Sequence, residues 1–296
     1  MTDQIVTSAE DQGIKETLVL GLRFLPQNLL SFLVGGFVRI RWPAVIQRQL
    51  NKGFVGLFGL NMGEAQMPLR EHMSIEDIFT RALLPGQRQI AGAYVSSADG
   101  TLEMSRPALA GDEAIQAKGI MYSLAELVYG VKSAEINSKW YTTVYLAPHN
   151  YHRVHAPFSG RVTGLRYVPG RLWPVNRPAV KAIPGLFCRN ERLVFDFELD
   201  AGGKGWVVMV GAFNVGRMST VLKPDFVTNA AKSLFKFSSN PVEMRFDAPR
   251  PLNAGDELGV FMLGSTTVVV LDGVAREALK PRELNGPQEV SVGKGL

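Results

Sequence analysis

The stretch GVFMLGSTTVVVL (259–271) holds two apolar runs of strand length, Val260 to Leu263 and Thr266 to Val270, parted by a Gly264-Ser265 step. β-Branched residues in short runs favour strand over helix, because their stiff χ1 packs on a pleated surface and crowds a helical turn. Taken alone, the Gly-Ser step reads as a bulge or bend where a residue without Cβ is needed. Similar segments recur outward: TTVYLAP (142–148), GRVTGLRYVPG (160–170), RLVFDFEL (192–199) and WVVMVGAFNV (206–215). Together they predict a largely antiparallel β body beyond about residue 88, with one helical interruption at YSLAELVYG (122–130).

Before residue 88 the texture is helical. SIEDIFTRA (74–82) opens on Ser74 with Asp77 three residues on, a capping-box-like start to a short helix. The most apolar part, 18–40, contains Arg23, Pro26, Gln27 and Asn28, whereas a bilayer span wants about 20 residues with few or no charges. Leu18, Leu22, Leu25, Leu29 and Leu33 recur at helical spacing, and Arg39, Arg41, Arg48 and Lys52 follow, as in a helix lying on an anionic membrane surface. A core-packed helical hairpin is the other reading, and the pattern leaves both open. The expected class is therefore α+β: a helical N-terminal region over 1–88, then a β-rich domain over 89–296.

Composition narrows the classes. At 296 residues, 46% hydrophobic and 20% charged, the chain is globular and long enough for an enzyme. A single cysteine, Cys188, excludes an internal disulfide framework and cysteine zinc sites, and with no signal-peptide pattern it suits a reducing compartment. The net charge of +5 suits an anionic membrane and is too diffuse to argue for nucleic acid. No G-x-G-x-x-G, H-E-x-x-H or G-x-S-x-G occurs. GAFNVGRM (211–218) has phosphate-loop glycine spacing but Arg217-Met218 where Lys-Ser/Thr must stand.

Three histidines, His149, His152 and His155, lie close together in PHNYHRVH (148–155). No carboxylate stands near them at a recognised ligand spacing, so no metal is expected. A surface turn with backbone-bonded imidazoles and acid–base work near neutral pH both remain open. Asp99-Gly100 is, by itself, a favoured hairpin turn.

YHRVH, Ala98-Asp99-Gly100 and the Gly264-Ser265 step, taken together, resemble the phosphatidylserine decarboxylases. The resemblance extends in order through MGEAQMPL (62–69), AKGIMYSLAEL (117–127), YLAPHNYHRVHAP (145–157), YVPG and VN (167–170, 175–176), LFCRNERLV (186–194), VGAFNVG (210–216) and ELGVFMLGSTTV (257–268). The LGST form and the N-terminal LRFLPQNLLSFLVGG look like the longer, Gram-negative-type bacterial members; Ser97 departs from the proline that often precedes A-D-G.

The resemblance implies a proenzyme that cuts itself between Gly264 and Ser265 into chains 1–264 and 265–296, Asp99, His155 and Ser265 forming the self-processing triad. Position 265 would become a covalent pyruvoyl cofactor, which would take phosphatidylserine as a Schiff base and release carbon dioxide and phosphatidylethanolamine. His152 is implicated in decarboxylation, positioning the substrate carboxylate or handling the proton returned to the α-carbon, and His149 has no role beyond structure. The resemblance further implies a membrane-associating N-terminus, a homodimer, and a peripheral place on the cytoplasmic side of the inner membrane.

Overall fold

The β-branched runs become strands and the Ser- and Asn-capped segments become helices. In the computed structural model the elements are α1 (Gln27–Val38), α2 (Ala44–Phe58), α3 (Ile75–Phe79), β1 (Gly100–Pro107), β2 (Glu113–Ala117), β3 (Ile120–Ser123), α4 (Leu124–Tyr129), β4 (Ser138–Leu146), β5 (Arg153–His155), β6 (Gly160–Val168), α5 (Arg177–Ala182), α6 (Leu186–Arg189), β7 (Arg192–Leu199), β8 (Lys204–Val210), β9 (Met218–Thr220), β10 (Val242–Leu252), β11 (Glu257–Phe261), β12 (Ser265–Asp272), α7 (Gly273–Leu279) and β13 (Gln288–Val290). Described residues are 21, 27–117, 119–131, 136–213, 217–228, 240–262, 265–284 and 286–296. The expectations on Leu18, Leu22, Arg23, Leu25, Pro26 and Gly264 lie outside them.

An eight-stranded antiparallel sheet, ordered β10-β6-β7-β8-β12-β4-β1-β13, forms the centre, and a three-stranded sheet β5-β11-β9 accompanies it. The class is α+β, as expected. Every residue of β12 from Ser265 to Leu271 is buried, which is why its sequence runs Val-Val-Val instead of alternating: both faces are covered. Val269 and Leu271 join Leu146, Val154 and Phe261 in a core shared with the small sheet. Val268 and Val270 face a second core holding Leu124, Leu127, Ala179 and Phe187 of the helical side.

Helix ends follow the capping signals. Ser74 accepts a hydrogen bond from the Asp77 amide at the start of α3, and Ser123 accepts one from the Glu126 amide at the start of α4. The fully buried Arg192 donates to the carbonyls of Glu126, Leu127, Cys188 and Asn190, gathering the C-terminal ends of α4 and α6 onto the sheet. Burial lowers its pKa to about 10, so it remains a cation at neutral pH.

The structure corrects several sequence expectations. Among the described residues of 206–215, the strand ends at Val210. Helices α5, α6 and α7 join the single one foreseen at 122–130. The run 259–271 is two strands in different sheets, β11 in the small one and β12 in the large one. Asp99-Gly100 is no hairpin; Gly100 starts β1, opposite Val290 and close beside the Tyr145 carbonyl.

Candidate active site

β11 ends at Phe261 in the small sheet and β12 begins at Ser265 in the large one, so Ser265 stands where the chain enters the large sheet. It pairs with Leu146 of β4, which by strand alternation turns its side chain to the face covered by the small sheet. Its hydroxyl is buried and has no hydrogen-bond partner among the described residues. An unpaired buried hydroxyl costs about 1–3 kcal/mol, a cost tolerated where the group has work to do.

His155 ends β5 and is tied to the large sheet through Ser97. The Ser97 carbonyl accepts the His155 amide at 2.8 Å, and the Ser97 hydroxyl donates to Thr267 Oγ1 at 3.1 Å, two residues along the strand from Ser265. His155 Nδ1 donates to the Gly255 carbonyl at 2.8 Å, which leaves Nε2 as the acceptor of the Tyr151 hydroxyl at 3.1 Å. Burial, more than any neighbouring charge, lowers its pKa, so the ring is neutral at pH 7.

Asp99 is not hydrogen-bonded to His155. Arg88 Nε donates to both its oxygens, at 3.0 and 3.2 Å, the Val292 amide donates to Oδ1 at 2.8 Å, and Arg88 also reaches Glu64 at 2.8 Å. The Asp99 charge still acts on His155, opposing the effect of burial. Arg88 sits 6.0 Å from the Tyr151 ring centroid, so Asp99, Arg88, Tyr151 and His155 form one polar cluster.

His152 is fully buried. Nδ1 donates to the Asn150 carbonyl at 2.9 Å, and Nε2 has no partner among the described residues. Phe79 of α3 lies on its ring, centroids 3.9 Å apart, and Phe54 of α2 stands 6.5 Å from Phe79. Desolvation pushes its pKa down to about 3. The neighbouring histidine's backbone is held as well, the His149 carbonyl accepting from Arg81 at 3.2 Å.

The structure thus gathers Asp99, His155, Ser265 and the segment of His152 at one junction, without a direct hydrogen bond linking the first three among the described residues. Comparison with known proteins gives this junction a context. The family model for phosphatidylserine decarboxylase matches residues 75–296. The chain belongs to the phosphatidylserine decarboxylase family. It is similar to the phosphatidylserine decarboxylase proenzyme of Anaeromyxobacter sp. (strain K), 38% identical over 284 residues that cover 94% of this chain and 96% of the relative. The proenzyme of Halorhodospira halophila is 42% identical over 86% of this chain and 85% of its own, and that of Pseudomonas paraeruginosa 38% over 96% and 93%.

For a phosphatidylserine decarboxylase, the sequence alone leaves three neighbours of the junction unassigned: Arg88, Tyr151 and Phe79. Tyr151 lies inside the quoted YHRVH block and carried the only local signal. Arg88 in PGQRQI (85–90) looks like any loop arginine, and Phe79 like any core residue of a short helix.

Proposed function

We propose that the chain is a proenzyme that cuts itself between Gly264 and Ser265 and then converts phosphatidylserine to phosphatidylethanolamine and carbon dioxide. The observation that carries this is the buried Ser265 hydroxyl at the start of β12, without a hydrogen-bond partner among the described residues, together with the two histidines of YHRVH that burial keeps neutral. A hydroxyl left without a partner here suits a position whose side chain is to be rebuilt as a pyruvoyl group.

In self-processing, His155 Nε2 gives up the Tyr151 hydroxyl and takes the Ser265 proton while Oγ attacks the Gly264 carbonyl carbon. The peptide C–N bond breaks and an ester forms. Loss of the residue-265 α-proton expels the Gly264 carboxylate as the end of chain 1–264, and water then replaces the nitrogen at position 265, releasing ammonia. Asp99 favours the His155 cation through its charge, and Arg88 with the Val292 amide fixes that charge in place. Gly264 before the cut leaves the approach free of a Cβ.

A pyruvoyl group held through position 265 supplies a ketone for the substrate amine and an electron sink for the pair freed with carbon dioxide. His152 offers Nε2 as an acceptor without a partner among the described residues, its one N–H being committed to the Asn150 carbonyl, so its part in decarboxylation is to accept a hydrogen bond from the substrate serine.

Region 1–88 we read as the membrane-facing part and 89–296 as the catalytic part. The support lies in α2, which buries Gln47 and Asn51 and exposes Val45, Ile46, Leu50 and Leu57, the reverse of a helix packed in a soluble core. Gln47 donates to Asn51 at 2.7 Å, and Asn51 to the His72 carbonyl at 2.9 Å. On α1, Leu29, Leu33 and Phe37 are exposed at helical spacing. No helix among the described residues is long and apolar enough to cross a membrane. Peripheral attachment to the cytoplasmic face of an anionic inner membrane, with a homodimer as the assembled form, completes the reading.

The test is substrate choice: the purified protein should release carbon dioxide from vesicles containing phosphatidylserine and none from free serine. Release from soluble amino acids alone would overturn the proposal.

A further inference from the structure

Returning a proton to the substrate's α-carbon needs a donor, and neither histidine of the junction offers one. Each spends its Nδ1–H on a backbone carbonyl, Asn150 for His152 and Gly255 for His155, and turns a lone pair to the other side. Asp99 is occupied by Arg88 and the Val292 amide.

The sheet brings one more acid to this face. Val210 pairs with Thr266 on one side and with Arg192 on the other, so one residue further along Ser265, Gly211 and Glu191 fall in a row; the Gly211 amide donates to the Glu191 carbonyl at 2.9 Å. Residues opposite one another in antiparallel strands share a face, and Glu191 shares it with Leu193, of the core that also holds Leu146. Two strand spacings put the Cα atoms of Glu191 and Ser265 about 10 Å apart. Between them stands a glycine, and a Cβ at Gly211 would press on Glu191 Cγ and its carbonyl. Within the row no side chain separates Glu191 from position 265, and over Gly211 the gap is bounded by the buried Leu172 side chain, 3.4 Å from where a Gly211 Cβ would stand.

Resting on the function proposed above, we infer that Glu191 is the acid that protonates the substrate α-carbon after carbon dioxide has left. The Glu191 O–H bond breaks, a C–H bond forms with the electron pair carbon dioxide leaves behind, and a carboxylate remains. Its oxygens are already met by the Tyr167 hydroxyl at 3.0 Å and the Thr228 hydroxyl at 3.1 Å, both able to donate to the anion. Solvent then restores the proton.

Glu191 is fully buried, and desolvation holds its pKa up at about 7 against these two hydrogen bonds. Tyr167 from β6 is the titratable group in contact with it, and burial raises that phenol too, keeping it a donor. Arg192, next along β7, points to the opposite face and bonds carbonyls there. Glu191 thus carries its proton below neutral pH and loses it above.

Two readouts test this. In the Ser265→Ala chain, which cannot form the cofactor, infrared spectra between pH 5 and 9 should show a protonated-carboxyl band that disappears as pH rises through about 7 and is missing from the Glu191→Gln partner. In the natural chain, Glu191→Gln should still cleave itself, by intact mass, yet turn over roughly 10²- to 10⁴-fold more slowly and lose the fall in rate above neutral pH. A cleaved Glu191→Gln enzyme running at the natural rate overturns the assignment. So does a carboxyl already ionised at pH 5, which the infrared titration reads even where Glu191→Gln fails to cleave. A natural chain that never cleaves would instead sink the proposed function while leaving the Glu191 band intact.

Discussion

Gly100 has a φ of 155°, and a Cβ there would run into the Tyr145 carbonyl oxygen across the β1–β4 pairing. Gly100→Ala should therefore destabilise the Ser265→Ala chain by at least about 1–3 kcal/mol in urea unfolding, the usual cost of a strained φ, and slow self-cleavage in the natural chain through its neighbour Asp99. An unchanged midpoint would contradict the close approach. Arg88→Met strips Asp99 of its guanidinium; both side chains are largely buried, at 18% and 10% exposure, so a loss of the order of 3 kcal/mol is expected, with Arg88→Lys intermediate. Equal midpoints for all three chains would show the pair to be idle. Asp99, His155 and Ser265 were named through the family resemblance, because alone Asp99-Gly100 reads as a turn and Gly264-Ser265 as a bulge. Arg88 and Glu191 were not, since what sets them apart is a partner 11 residues away for one and a row across three strands for the other.

Helix α3 is short, but it roofs His152 with Phe79, and Arg153 beside that histidine donates to the Thr80 carbonyl at 3.1 Å. Its capping signal was legible because a cap is local: one side chain and an amide three residues on. Keeping His152 neutral has a consequence for stability. Its pKa is about 3 folded and about 6.5 unfolded, so between those values the unfolded chain binds the extra proton. Stability present above pH 6.5 is thus lost as pH falls toward 3, by at most about 1.4 kcal/mol per unit. Glu191, raised to about 7, acts oppositely and costs stability as pH rises from about 4.5 to 7. On the Ser265→Ala chain, His152→Phe should move the acid unfolding midpoint, followed by circular dichroism, to lower pH; an unmoved midpoint would mean His152 is not held neutral. Strand β10 shows the limit of pattern reading. Charged, mostly exposed and carrying Pro249 and Pro251, it lies at the edge of the large sheet, where proline and a register break between Arg245 and Arg250 protect against further pairing. Those features hide a strand from any search for alternating apolar residues.

Across the whole molecule, α2, which exposes Val45 and Leu57, is joined through Phe54 and Phe79 to His152 of the proposed site. A lipid whose headgroup stays at the interface could be met there without leaving the bilayer. Val45 and Leu57 are 75% and 79% exposed, and burying such side chains in lipid is worth about 1.5–3 kcal/mol each. Val45→Asp with Leu57→Asp should weaken binding to anionic vesicles more than tenfold in a flotation assay, and undiminished binding would place the membrane contact elsewhere. The α+β class and the helical start were readable from composition texture. The change of sheet between Phe261 and Ser265 was not, because a run of apolar residues does not say which sheet each half joins. That crossing is where the chain is expected to break. Intact mass spectrometry of the purified natural chain tests this most directly. Two species are predicted, 1–264 and 265–296, the smaller lighter than its encoded sequence by one ammonia. A single species at the full 32.5 kDa, in protein that releases carbon dioxide from phosphatidylserine, would contradict it.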